Sequence, residues 1–255
     1  MTDLAVLAIG FGLMPLASIL LYSFRDWIVS HSDLVSGGLL GIVAFLGLSH
    51  AMAFVLENKP FLFNGVSTLA TASFLVFGLA VGGILGWLLF EGRFVRKEPS
   101  RIVWAAVAFL AIHSLGDGLV LGRDFVGGAL PSVPIDSLTV SGTVVHRLIE
   151  GAIVLVPAVA AAWRRRSAFL MLFVSLGSIP AAYIPGFLVD SLGLVSGSAA
   201  TLTLSTFFSA MEATLALVLI VRGFLPLATT GHGSRWLAWT VIGFIGISLV
   251  HFLVE

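Results

Sequence analysis

Residues 102–123 read IVWAAVAFLAIHSLGDGLVLGR. The run is as long as a bilayer-crossing helix needs, about 20 mainly apolar residues. It holds a histidine and an aspartate, His113 and Asp117, four residues apart and deep inside the apolar stretch. The rest of the chain decides whether this is a core helix or a membrane helix. Hydrophobic residues make up 58% of the 255 residues and charged residues only 10%, against roughly 25% charged in an ordinary globular domain. A chain this apolar cannot cover its own surface with polar groups. Composition therefore predicts an all-α, polytopic membrane protein, with residues 1–255 forming one transmembrane domain.

Working outward from 102–123, seven more segments qualify as spans. The eight run approximately 4–24, 34–57, 66–90, 102–123, 138–162, 168–190, 200–222 and 236–254. Polar or turn-rich stretches separate them, among them ENKPFLFNG, RDFVGGALPSVPID and WRRRS. No connection is long enough to hold a soluble domain. The start, MTDLAVLAIGFG, has Asp3 where a signal peptide carries basic residues, so it reads as a retained first helix.

Lys and Arg set the orientation. With the N-terminus outside, the inside turns hold Arg25, Arg93, Arg96, Lys97, Arg101, Arg164, Arg165, Arg166, Arg222 and Arg235, and the outside turns hold Lys59 and Arg123. Ten against two predicts that both termini face the extracellular or periplasmic side of the cell membrane. Net charge is zero, which gives no reason to expect nucleic acid as a partner. The chain has no cysteine, which excludes disulfides, thiolate nucleophiles and thiolate metal sites. Gly78, Gly82 and Gly86 form a small-x-x-x-small ridge on the third segment, suited to close packing within a subunit or to dimerisation.

Ionisable groups inside a bilayer are costly and usually mark function. They are His50 on the second segment, His113 and Asp117 on the fourth, His146, Arg147 and Glu150 on the fifth, and Glu212 on the seventh. Glu57 and His251 lie near segment ends. The fourth and fifth segments repeat one another: AIHSLGDGLVLG (111–122) and VVHRLIEGAIVL (144–155) share a His, a Leu two residues on, an acid at i+4 and then Gly. Adjacent spans cross in opposite directions, so this is the pattern of an inverted repeat, and transporters commonly place their site at such an interface.

Residues i and i+4 share a helix face, about 6 Å apart along the axis. His113 and Asp117 point one way, as do His146 and Glu150. Antiparallel register then sets His113 opposite Glu150 and Asp117 opposite His146. Two imidazoles and two carboxylates suit Zn²⁺, or Fe²⁺, Mn²⁺, Co²⁺ or Ni²⁺. The same groups also read as ion pairs that pin helices or relay protons. His50 is a pathway residue or a packed histidine bonded to a carbonyl. Glu212, a lone carboxylate on a spanning helix, needs a partner or a proton.

At HSLGDG and HRLIEG the chain resembles the ZIP (Zrt-, Irt-like) family of divalent-metal transporters. The likeness extends to eight helices, outside termini, a basic turn between the third and fourth segments, GLSHAMAFVLE around His50 and, more weakly, STFFSAMEATLAL around Glu212. It implies a ZIP-like two-bundle fold, movement of a divalent metal toward the cytoplasm, a dimer, and a transporter rather than an enzyme. By position, His113, Asp117, His146 and Glu150 fall on the family's primary metal site. Ser114 and Arg147 replace residues that build a second site, Gly116 and Ile149 stand where the family has Pro, and the sixth segment has only Asp190, at its end. These departures imply one metal, with Arg147 pairing electrostatically with Asp117, Glu150 or Glu212, or serving as a structural ion pair. Two other readings stay open: an intramembrane metal-dependent hydrolase assisted by Ser114, and a metal-binding relative that does not transport.

Overall fold

A computed structural model of the chain describes residues 19–63, 66–92, 98–127, 137–177, 198–229 and 234–254. Among them the chain is helices and short turns, with no strand. The helices are α1 (Arg25–Ser30), α2 (Ser32–Phe63), α3 (Val66–Glu91), α4 (Glu98–Gly127), α5 (Ser137–Ala160), α6 (Arg165–Leu176), α7 (Ser198–Leu219) and α8 (Arg235–Val254). Three windows are long and apolar enough to cross a membrane: Ser32–Ser49 in α2, Ala72–Glu91 in α3, and Thr206–Thr229, which begins in α7. Shorter apolar runs occupy Ser100–Gly116, Leu148–Ala160 and Arg235–Val250. Most of the first expected segment, 4–24, and the second half of the sixth, 168–190, lie outside the described residues.

Several boundaries differ from the sequence reading, and the seventh segment, expected to end near 222, is helical to Thr229. The expected turn at 57–65 is helical as far as Phe63, and α4 continues past residue 123 to Gly127. Hydropathy marks where apolar side chains stop. The hydrogen-bond ladder has no such limit and runs on into the polar ends.

α4 is the central element. It packs against α3, α5, α6 and α7, and Val103, Ala105, Ala106, Phe109 and Leu110 are wholly buried. α5 meets it with Ile153, Val154 and Leu155, and α7 with Leu215 and Leu219. The outer helices have the opposite character. α3 exposes Leu69, Val76, Phe77, Ile84 and Trp87, and α8 exposes Val241, Ile242, Ile245, Leu249 and Phe252. Bare apolar faces of this extent are foreign to a protein in water.

Glycines bring the helices close. The ridge Gly78, Gly82 and Gly86 packs on α7: a methyl at Gly78 would run into the Phe207 carbonyl, one at Gly82 into that of Met211, and one at Gly86 into the Val218 side chain. The ridge is therefore used within the subunit and is not free for dimerisation. Gly41 and Gly243 do the same at the α2–α8 crossing, against the backbone of Thr240 and Gly38.

α7 does not stop at Leu219. It passes through a π-helical turn, Ile220–Phe224, into a further helical piece, Leu225–Thr229. The Leu225 amide bonds back to the Ile220 carbonyl. The cause is next in sequence: Pro226 has no N–H to give, so the regular ladder cannot continue there. Arg222 on this turn pairs with Glu91 at the end of α3. Tyr22, Trp163 and Ser100 tie three other connections together, since the Tyr22 hydroxyl donates to the Trp163 carbonyl (3.4 Å) and Trp163 Nε1 donates to Ser100 Oγ (3.0 Å).

Candidate functional site

α4, α5 and α7 each deliver one ionisable side chain to the same buried point. His113 is 4% exposed, Glu150 1% and Glu212 4%. His113 Nε2 lies 2.9 Å from Glu150 Oε1, and Nδ1 lies 3.2 Å from Glu212 Oε1. One imidazole thus bridges two carboxylates from two other helices. Phe109, one turn earlier on α4, stacks parallel to the imidazole, with ring centroids 6.5 Å apart and planes 8° apart.

Local sequence explains why the three meet. Around His113, α4 has buried Phe109, Leu110 and Ile112, so the helix has no water-facing side on which to place a histidine. Glu150 is followed by buried Gly151 and, one turn on, by Val154. Glu212 is flanked by Met211 and followed by Leu215 and Ala216, all buried. A carboxylate in such a setting needs a hydrogen-bonding partner.

The proton count follows from the geometry. Each N···O contact needs one proton. A neutral imidazole carries a single N–H and can satisfy only one carboxylate. The second contact needs another proton, on the ring or on a carboxyl. The trio therefore shares two protons, of which a divalent cation would replace one while the neutral imidazole keeps its N–H. With both protons the trio carries one net negative charge. A neutral imidazole, two carboxylates and a divalent cation sum to zero.

The cross-helix approach of His113 to Glu150 is the one that antiparallel register predicts. His50, Asp117, His146 and Arg147 lie on described helical backbone, but their side chains are outside the described set. The partner expected for Asp117 and the ion pair expected for Arg147 therefore lie outside it too. Among the described residues no group of three or more ligand side chains is already arranged around a common ion position. The reason is visible in the trio. The two carboxylates sit at the two ring nitrogens of His113, so a metal must displace one of these contacts to reach the ring.

The sequence leaves Glu212 as a carboxylate in need of a partner or a proton, and the structure places it directly against His113. The signal was present: an unpaired acid on an apolar helix, and a histidine whose motif supplied a partner for only one nitrogen. Ser114 is fully buried, and its Oγ has no hydrogen-bond partner among the described residues. A hydroxyl in a helix usually bonds back to a carbonyl one turn earlier. The Ser114 hydroxyl, next to His113 in sequence, makes no such bond. Gly116 leaves open space where a side chain would stand.

No family model matches the chain, and comparison with curated proteins finds no match.

Proposed function

We propose that the chain is a ZIP-like transporter that moves a divalent transition-metal ion, Zn²⁺ foremost, toward the cytoplasm through a site centred on His113. The observation that carries this reading is the Glu150–His113–Glu212 bridge buried between three helices. A borderline cation suits one imidazole and two carboxylates. The carboxylates neutralise its charge where the dielectric is low. Asp117 and His146, one turn along the same helix faces, are the proposed ligands that receive the ion next. The eight-span topology with outside termini is part of this proposal. It is supported by the long apolar helices and by the bare apolar faces of α3 and α8.

The test is flux into liposomes loaded with a metal-sensitive dye. Zn²⁺, Mn²⁺ and Fe²⁺ are each offered to the wild type and to a His113→Ala/Glu150→Ala variant. Zn²⁺ flux in the wild type and its loss in the variant is the expected outcome. Normal flux in the variant rejects the reading. Metal bound by purified protein with no flux identifies a non-transporting relative.

One observation favours a second reading. The buried Ser114 hydroxyl, which follows His113 in the chain and has no partner among the described residues, is a polar group that an intramembrane metal-dependent hydrolase would use. Chelator-sensitive release of product from a lipid or amide substrate would decide for it.

A further inference from the structure

α5 ends in a tight reversal. The Trp163 amide bonds to the Ala158 carbonyl (2.9 Å) and the Ala162 amide to that of Val159 (3.0 Å), with Ala162 at a φ of 55°. This pair of bonds is a Schellman closure, normally built on glycine. It sends Trp163, Arg164, Arg165 and Arg166 out of α5 and into the start of α6. All three arginines are exposed.

The corner is assembled from three parts of the chain. Trp163 is fixed by its bond to Ser100, by the Tyr22 hydroxyl on its carbonyl, and by an edge-on contact with Trp104, ring centroids 5.8 Å apart. Arg25 and Arg165 both stand close enough to Tyr22 to act on its hydroxyl electrostatically. Arg25 thus shares the corner with Arg165. None of Arg25, Arg164, Arg165 and Arg166 is paired with a carboxylate among the described residues, whereas Arg222 is paired with Glu91. This concentration of positive charge in a short stretch is one that an anion supplied from outside would neutralise. Two indole rings beside them belong to the headgroup level of a bilayer, where aromatic side chains concentrate.

We propose that the Trp163–Arg166 corner, with Arg25, Tyr22 and Trp104, binds the headgroup phosphate of an anionic phospholipid. Guanidinium groups meet phosphate oxygens in two-pronged hydrogen bonds. The indoles of Trp104 and Trp163 lie against the glycerol and upper acyl region. Basic pockets between helices on the cytoplasmic side recognise anionic headgroups in this way. The proposal rests on the bilayer placement given above and is independent of metal transport.

Native mass spectrometry of the full chain in detergent tests it, with phosphatidylglycerol and phosphatidylcholine of matched acyl chains offered in equal amounts. The expected result is several-fold greater retention of phosphatidylglycerol, reduced to parity by Arg164→Gln, Arg165→Gln and Arg166→Gln together, with thermal unfolding unchanged. Arg222→Gln should keep the preference. Equal retention of the two lipids by the wild type overturns the proposal. So does a triple variant that keeps the preference, or an Arg222→Gln variant that loses it, since net charge alone would then be acting. Equally strong retention of glycerol phosphate, which has no acyl chains, overturns the lipid assignment. Recovery of the chain in solution without detergent would remove the bilayer placement itself.

Discussion

Oε1 of Glu212 on α7 lies 3.2 Å from Nδ1 of His113 on α4, joining positions 99 residues apart. α7 is thereby tied to the same histidine that α5 reaches through Glu150. Any movement of α7 relative to α4 must break or remake this contact.

Replacing Glu212 should therefore affect both stability and transport. Glu212→Ala leaves one nitrogen of a buried imidazole without this hydrogen-bond partner, at a cost of about 1–3 kcal/mol. Glu212→Gln keeps an acceptor and removes the charge. Thermal unfolding in detergent should show the alanine variant clearly destabilised and the glutamine variant much less so. Zn²⁺ flux should fall at least tenfold in both. Wild-type flux in Glu212→Gln would show that the carboxylate charge takes no part in binding the ion.

Under the proposed function, protons and metal compete for the trio. His must be neutral and Glu ionised to bind a cation. The sign is fixed: lowering pH adds protons to ligands and weakens metal binding. Initial uptake at subsaturating metal should decline as the pH is lowered, and raising the metal concentration should restore part of it. Uptake that rises with acidity would contradict a site of this kind.

The pairing of His113 with Glu150 was legible in the sequence because two i,i+4 motifs on adjacent helices admit only one antiparallel register. Three of the expected apolar runs were legible as helices long enough to cross a membrane, Ser32–Ser49, Ala72–Glu91 and Thr206–Thr229, because lipid demands continuous apolar runs. Glu212 was not placed by the sequence, since it lies on a helix distant in sequence and belongs to no motif. Helix ends were misjudged at Phe63 and Gly127, where hydropathy falls but the backbone stays helical. The π turn was unmarked except by Pro226. The role of the glycine ridge depended on which helix lay opposite, and nothing in its spacing named α7.

The α2–α8 crossing gives a paired test of glycine packing. A methyl on Gly41 would collide with the Thr240 carbonyl, a backbone atom that cannot rotate away, whereas one on Gly38 meets nothing within 4 Å. Gly41→Ala should destabilise by about 1–3 kcal/mol through overpacking. Gly38→Ala should be neutral, or stabilising by up to about 1 kcal/mol from reduced chain entropy. Thermal unfolding of the two variants side by side distinguishes them, and equal effects would show that the two helices are not in close contact.

Ala162 offers the opposite change. Its φ of 55° is in the left-handed region, which costs an L-residue about 1–2 kcal/mol because Cβ crowds the following carbonyl. Glycine carries no such cost there, although it gives back about 0.4–1 kcal/mol through a freer unfolded chain. The difference leaves Ala162→Gly stabilising by about 0.5–1 kcal/mol. A β-branched side chain at the same place should act in reverse, so Ala162→Val should destabilise by more than the glycine variant stabilises. Both can be read from melting temperatures in one detergent. Because the same closure projects Trp163 and the three arginines, Ala162→Val should also lower the preference for phosphatidylglycerol, and Ala162→Gly should preserve it. A glycine variant less stable than wild type would mean that the chain at 162 does not hold the left-handed conformation on which the corner is built.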